Sequence, residues 1–497
     1  MVSPHPAQLP SGLYRHSLAL LTDLYELTMA YGYWKSQTAD RDAVFHLIFR
    51  RHPFRGGFTV ACGLAYAIDW MLHLRFDDDD LAYLASLAGA DGAPLFEPAF
   101  LDWLQRMEFN CDVDAIPEGT VVFPHEPLMR VQGPIWQAQL VESALLNMMN
   151  FQTLVATKAA RVCLAAHGEP VLEFGLRRAQ GVDGALAAAR AAYVGGCEAT
   201  SNVLAGRLFG IPVRGTHAHS LVMSFGSELE SFQAYAAAMP NNCVFLVDTY
   251  DTLKGVRHAI EVGRWLRSQG HKLLGVRLDS GDLAYLSIET RKILDEAGFA
   301  DTVIVGSSDL DERLIASLKQ QHATIGVWGV GTHLVTAFEE PALGGVYKLT
   351  AMREPAGAWR RCIKLSEQAA KSSTPGILQV RRFERDGECV GDMIYDVELG
   401  CGDAASPLIV DPHDDTRRKR IASDARHSDL LVPILRQGRL VYDPPELSSI
   451  RAETRRQLEC FSVSIKRFEN PHEYPAGLEP RLHDLRKKLI LEARGFK

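Results

Sequence analysis

From about residue 171 the chain falls into short apolar runs, each closed by polar residues or glycine. They cover residues 171–175, 211–216, 244–249, 273–279, 303–309, 324–331 and 345–349. Helical patterns separate them, and most lie roughly 20–40 residues apart, the size of a strand–helix unit in a parallel sheet or barrel. A barrel brings the C-terminal ends of its strands to one mouth, where ligands sit. Those ends here carry Arg, Asp, Ser, Thr, His and Gly. An open doubly wound sheet is less able to gather seven ends at one place.

The chain before this point reads differently. Residues 1–12 form a loose, Pro-containing arm. Thr22 or Asp23 caps a helix with Leu24 and Leu27 on its apolar stripe and Tyr25 and Met29 beside it. Residues 43–49 read as a strand that runs into a basic turn over 50–57, which is either a phosphate-holding turn or simply a turn. Asp77 to Asp80 are expected at a helix N-terminus, where the dipole favours negative charge, rather than around a metal ion. Short strands with Pro117, Pro124, Pro127 and Pro134 precede the longest helical pattern, residues 141–166, which Gly168 ends. After residue 356 the rhythm weakens: residues 376–383 suggest a strand, and the end from Lys466 is charged and partly helical. The expected division is an N-terminal α/β domain over 1–140, an α/β barrel over 141–355 and a C-terminal region over 356–497.

Composition changes this picture little. A chain of 497 residues, 47% hydrophobic and 23% charged, has room for two or three domains. The net charge of -8 gives no broad basic face for nucleic acid. The one basic run, Arg417 to Arg420, follows two aspartates and reads as a solvated loop or helix face. Nine scattered cysteines without a CxxC pair suit a reducing compartment. Neither a secretion signal nor a membrane-spanning run is evident, so a cytoplasmic protein is expected.

Candidate chemistry lies at the strand ends. Residues 214–220 place Thr216, His217, His219 and Ser220 after an apolar stretch read as a strand over 208–213. Imidazoles titrate near neutral pH, and two of them at i and i+2 share a face while the chain stays extended. A turn would break that parity and leave one packed and one solvated loop histidine. Arg277 and Asp279 share a face in the same way. Arg277 can hold a carboxylate bidentately; Asp279 can accept from sugar hydroxyls or hold Mg²⁺ through water. A structural ion pair at the barrel rim is the alternative. Residues 306–309 and 329–332 are turns before helical patterns, suited to phosphate. The second is not a dinucleotide fingerprint, since Leu334 stands where the third glycine would be. Neither a P-loop nor HExxH is present, and His and Cys are not closely clustered. These residues describe a soluble, barrel-like α/β enzyme with a site for a phosphorylated, anionic ligand; they leave the reaction open.

Several motifs together resemble the nicotinate phosphoribosyltransferases: Thr22-Asp23-Leu24-Tyr25, residues 150–158, Glu173-Phe174-Gly175-Leu176-Arg177-Arg178, Gly215-Thr216-His217-Ala218-His219-Ser220, residues 276–282 and Gly329-Val330-Gly331-Thr332. The resemblance implies an α/β fold, an irregular α/β barrel with a second α/β domain built largely from the N-terminal segment, in a homodimer that shares its sites. It implies the joining of nicotinate to 5-phosphoribosyl 1-diphosphate, with release of pyrophosphate, in NAD biosynthesis. ATP hydrolysis would drive the reaction through a phosphohistidine, with Mg²⁺ bridging the diphosphate. His219 matches that histidine; His217 falls on a variable position. Phe174 would stack on the pyridine ring, with Tyr25 of the partner subunit on its other face. Arg277 would face the nicotinate carboxylate, and Thr216 the same ring. Arg177, Gly331 and Thr332 would hold phosphate, Ser307 would join the substrate site, and Asp279 would take ribose hydroxyls or magnesium. The metal ligands are otherwise unassigned. Ser201 stands where nicotinamide-using relatives carry an Asp that would repel nicotinate. Enzymes of this fold that use nicotinamide or quinolinate, and a non-catalytic sensor of NAD precursors, are the alternatives.

Overall fold

The computed structural model describes residues 18–355, 357–366, 372–402 and 406–496; the arm expected over residues 1–12 lies outside them. The structure is a mixed α/β fold in two units. One is formed by the chain up to Leu154 and again from Ala342; the other is Val155–Pro341.

The first unit holds a seven-stranded antiparallel sheet. Its order is Arg360–Arg361, Gly345–Arg353, Asp42–Phe49, Pro127–Pro134, Asp112–Ala115, Val432–Arg436 and Arg439–Leu440. Asp42–Phe49 is central and covered on both faces, which explains its unbroken apolar run in place of strict alternation. A second, mixed sheet runs from Arg418–Arg420 through Leu408–Val410, Ala476–Leu478, Glu388–Asp396 and Leu378–Arg385 to Arg426–Asp429. The basic run is thus an exposed edge strand, where charge discourages further pairing, and not the loop or helix face expected. The four aspartates do start a helix: Asp77 and Asp80 form a capping box at Asp78–Ser86. Tyr25 lies on Leu24–Lys35, half exposed. The apolar run at 345–349 is part of the strand beside Asp42–Phe49, not a barrel strand. A short apolar run does not reveal which sheet receives it.

The second unit is a parallel sheet. Its order is Ala199–Thr200, Val171–Glu173, Val327–Val330, Val303–Ser307, Gly275–Leu278 and Val244–Leu246. The last strand in sequence pairs back beside the first, the strand order of a barrel left open between Ala199–Thr200 and Val244–Leu246, with helices such as Thr252–Ser268 and Leu283–Glu296 between the strands. The barrel is irregular at one seam. Residues 208–213, read as a strand, instead end the helix Val203–Phe209 at a left-handed Gly210. They touch the sheet through a single bridge, Thr200 to Val213. Pro212 has no N–H to donate to a ladder, which suits so brief a contact.

Candidate functional site

The seam decides where the two histidines go. His217 turns inward: its Nε2 accepts the Leu246 backbone N–H at 3.1 Å, a bond that a neighbouring strand would otherwise make. The ring packs among Phe232, Tyr235 and Phe245. Accepting at Nε2 places the proton on Nδ1, which faces the Ala218 carbonyl at 3.4 Å. Burial, foremost, lowers the imidazole pKa. His219 begins the short helix His219–Met223 and points elsewhere, so the turn breaks the i, i+2 parity. Its Nδ1 is 3.1 Å from the Thr249 hydroxyl, and its Nε2 is 3.9 Å from Asp248 and 3.8 Å from Asp279.

Arg277 is the hub of the opposite wall. It is the third residue of Gly275–Leu278 and donates in three directions: Nε to Ser307 Oγ at 2.7 Å, Nη1 to Thr216 Oγ1 at 3.1 Å, Nη2 to Asp279 Oδ1 at 2.7 Å. Ser307 in turn donates to Asp279 Oδ1. Two strand ends therefore meet in a single hydrogen-bonded ring of Arg277, Ser307 and Asp279, with the loop residue Thr216 attached through Arg277. Burial works to raise the Asp279 carboxyl pKa, but the Ser307 hydroxyl, Arg277 and His219 outweigh it and hold it below the ordinary range. After Asp279 the chain must turn into its helix. Gly281, at φ +79°, allows that, and Asp282 caps Leu283–Glu296 by accepting from the Tyr285 N–H.

Two residues of this cluster were not singled out in the sequence. Asp248 and Thr249 follow the strand Val244–Leu246. The Asp248 side chain is 1% exposed; its Oδ2 accepts from the Asp279 N–H at 2.9 Å and the Ser280 hydroxyl at 2.6 Å. Its buried Oδ1 makes no hydrogen bond and faces His219. The available signal was an apolar run ending in Asp-Thr, as 273–279 ends in Asp.

The Phe174 ring sits beside this ring of groups, 5.6 Å from the Arg277 guanidinium carbon. Its backbone N–H continues the sheet to the Val330 carbonyl. Gly329 makes room for it: a Cβ there would come within 2.8 Å of the Phe174 ring. Gly331 precedes Thr332, the first residue of the short helix Thr332–Val335, and a Cβ on it would come 3.3 Å from the Phe174 carbonyl oxygen. Arg177 is exposed on the 3₁₀ turn Leu176–Arg178. Ser201 follows the strand Ala199–Thr200, with its N–H on the Glu173 carbonyl. Hydrogen bonds thus join Thr216, Arg277, Asp279 and Ser307, with His219 facing Asp279 and Phe174 alongside. Tyr25 belongs to the other unit. Its phenol pKa is raised to about 12 by burial, then by Glu142 and Glu26.

Asp248 Oδ1, which makes no hydrogen bond, and Asp279 Oδ2 are hard oxygen donors each within 4 Å of His219 Nε2, a donor chemistry that fits a small divalent cation. Among the described residues no three His, Cys, Asp or Glu side chains gather in a metal-holding group. Such an ion would complete its shell from water and substrate oxygens, as magnesium commonly does. Also among the described residues, no helix is long and apolar enough to cross a membrane.

Three family models match in succession. They are described as the nicotinate phosphoribosyltransferase N-terminal domain over residues 20–150, the nicotinate phosphoribosyltransferase family over 170–378 and the nicotinate phosphoribosyltransferase C-terminal domain over 379–486. The nicotinate phosphoribosyltransferase of Bacillus subtilis is 42% identical over 492 residues, 97% of this chain and 98% of that protein. The Homo sapiens nicotinate phosphoribosyltransferase is 36% identical over 523 residues, 94% of this chain and 95% of that protein. The crystal structure of human nicotinic acid phosphoribosyltransferase superposes with a TM-score of 0.81 at 33% identity, covering 94% of this chain and 99% of that one.

Proposed function

Because the chain belongs to the nicotinate phosphoribosyltransferase family, we propose that it works in NAD biosynthesis as an ATP-coupled enzyme whose phosphoryl acceptor is His219. The transferase reaction joins the pyridine nitrogen of nicotinate to C1 of 5-phosphoribosyl 1-diphosphate. The C1–oxygen bond to diphosphate breaks, and nicotinate mononucleotide and pyrophosphate leave.

The observation that carries the finer reading is the convergence of Arg277, Asp279, Ser307 and Thr216 facing His219 and Asp248. Arg277, held flat by three partners, offers its guanidinium edge to the nicotinate carboxylate, with Thr216 beside it. Phe174 stacks on the ring. Asp279, kept ionised by its neighbours, takes the ribose hydroxyls, and Arg177, Gly331 and Thr332 take phosphate. Ser201 presents a hydroxyl where a carboxylate would repel nicotinate. In the ATP half-reaction a His219 ring nitrogen bonds to the γ-phosphorus as the bond to the ADP oxygen breaks, and ADP departs. Water later cleaves the phosphoimidazole. Asp248 and Asp279 are the residues that would hold Mg²⁺, whose charge would neutralise phosphate oxygens there. The proposed assembly is a cytoplasmic homodimer, Tyr25 of the partner subunit closing the base pocket.

The test measures mononucleotide formation from nicotinate, nicotinamide or quinolinate with phosphoribosyl diphosphate and Mg²⁺, with and without ATP. Product from nicotinate, enhanced by ATP in the wild type and not in His219→Ala, is the expected result. ATP enhancement surviving in His219→Ala would refute the phosphohistidine; product from nicotinamide would refute the role given to Ser201.

A further inference from the structure

Glu173 ends the strand Val171–Glu173, immediately before Phe174, and is 1% exposed. A carboxyl so deep is costly unless every oxygen is used. Both side-chain oxygens are used, and by different loops. Oε1 accepts the Gly175 backbone N–H, fixing the turn that follows Phe174. Oε2 accepts the Thr200 hydroxyl at 2.5 Å. The Thr200 oxygen accepts in turn from the Asn202 N–H at 2.9 Å, and Asn202 caps the helix Val203–Phe209 by accepting from the Ala205 N–H. The Glu173 main-chain carbonyl takes the Ser201 N–H at 2.9 Å. One residue therefore grips the segment carrying Phe174 and the segment carrying Ser201, through three separate acceptors.

Space is tight where it grips. A Cβ on Gly175 would meet Val335 at 2.3 Å and the Glu173 carboxyl oxygen at 3.0 Å. The segment can neither swell nor slide without losing the carboxyl's bonds. A displacement of about 1 Å in a positioning element can cost up to about a hundredfold in turnover or binding.

We infer that Glu173 is a positioning residue for the base pocket, setting the spacing between Phe174 and the Ser201 loop through Gly175 and Thr200 and so tuning affinity for the pyridine ring. The inference rests on the reading of Phe174 and Ser201 as pocket walls. Glu173 need not touch substrate; it acts through the two walls. Arg277, Asp279 and His219 make no contact with its carboxyl among the bonds described, so the phosphoribosyl side keeps its own scaffold.

The test compares steady-state constants of wild type, Glu173→Gln, Thr200→Val, Thr200→Ser and Phe174→Ala. Glu173→Gln keeps the volume and one acceptor but puts an NH2 donor where Oε2 accepts from the Thr200 hydroxyl. Thr200→Val keeps the shape and removes the hydroxyl; Thr200→Ser restores it. The expected result is a KM for nicotinate raised roughly tenfold in Glu173→Gln and Thr200→Val. The KM for phosphoribosyl diphosphate and kcat should move less than about twofold, and Thr200→Ser should lie near wild type. Both KM values rising and kcat falling together with a lowered Tm, or a nicotinate KM unmoved in both variants, would overturn the inference. A wild type that does not turn over nicotinate would overturn the proposed function itself. An unmoved KM in Phe174→Ala alone would overturn the pocket wall on which the inference rests.

Discussion

At the scale of single residues, one pair of identical side chains two positions apart takes two fates. His219 faces carboxylates and a hydroxyl, with its side chain 38% exposed. His217 replaces a missing strand at the barrel seam, neutral and with a fixed tautomer. Its chemistry is stability, and the sign of the pH effect follows from burial. The folded-state pKa lies below the unfolded value of about 6.5. Above 6.5 both states are neutral and its contribution is complete. As pH falls below 6.5 the unfolded state takes up a proton that the folded state refuses, so stability is lost toward the depressed folded pKa. Other buried histidines, His46 and His52 among them, shift the same way, so wild type alone cannot isolate the effect. His217→Gln retains an acceptor for Leu246 and does not titrate. Thermal melts between pH 7.5 and 5 should show a shallower loss of Tm in His217→Gln than in wild type. Equal slopes would mean that His217 is not the proton-sensitive closure of the seam.

At the scale of elements, the sequence was most informative where a local rule suffices and least where a partner decides. The helix start at Asp77 to Asp80 needs only its own four residues, and the helix Glu142–Ala165 only its own periodicity; both were legible, though the capping box itself was not foreseen. Arg277 and Asp279 share a face by strand parity, and they pair. The run at 345–349 was misplaced because its partner, Asp42–Phe49, is some 300 residues away and nothing in an apolar run names it. Asp248 and Thr249 escaped notice because a strand end in Asp-Thr gains meaning only when His219 is seen opposite. Gly329 shows the same limit. In sequence it was part of a phosphate turn; in the structure it lies within the strand Val327–Val330, and its missing side chain is the space the Phe174 ring occupies. Gly329→Ala should fold, since Ala suits a strand at least as well as Gly does. The new methyl must displace the ring, however, and the nicotinate KM should rise several-fold with a smaller change for phosphoribosyl diphosphate. A Gly329→Ala enzyme with wild-type constants would show that Phe174 does not need that position.

At the scale of the whole molecule, the chain leaves one unit after Leu154, builds the parallel unit, and returns to the first from Ala342. A reading from one end to the other favours contiguous domains, so such a return is the hardest feature to foresee: long-range pairings, Gly345–Arg353 with Asp42–Phe49 and Val432–Arg436 with Asp112–Ala115, reveal it. Tyr25 and Phe174 accordingly lie in different units, and the proposed homodimer assigns them to one site from two chains. That assignment has an arithmetic consequence. Tyr25→Ala and Phe174→Ala should each lose most nicotinate turnover as pure proteins. A two-fold dimer that mixes them at random contains half heterodimers, each with one site carrying both substitutions and one carrying neither. Unfolding and refolding the two together, or co-expressing them, should therefore restore about one quarter of wild-type activity. If Tyr25 instead served the site of its own chain, every site in a heterodimer would carry one defect and mixing would restore nothing. Measured recovery thus separates a shared site from two private ones without requiring a structure of the dimer.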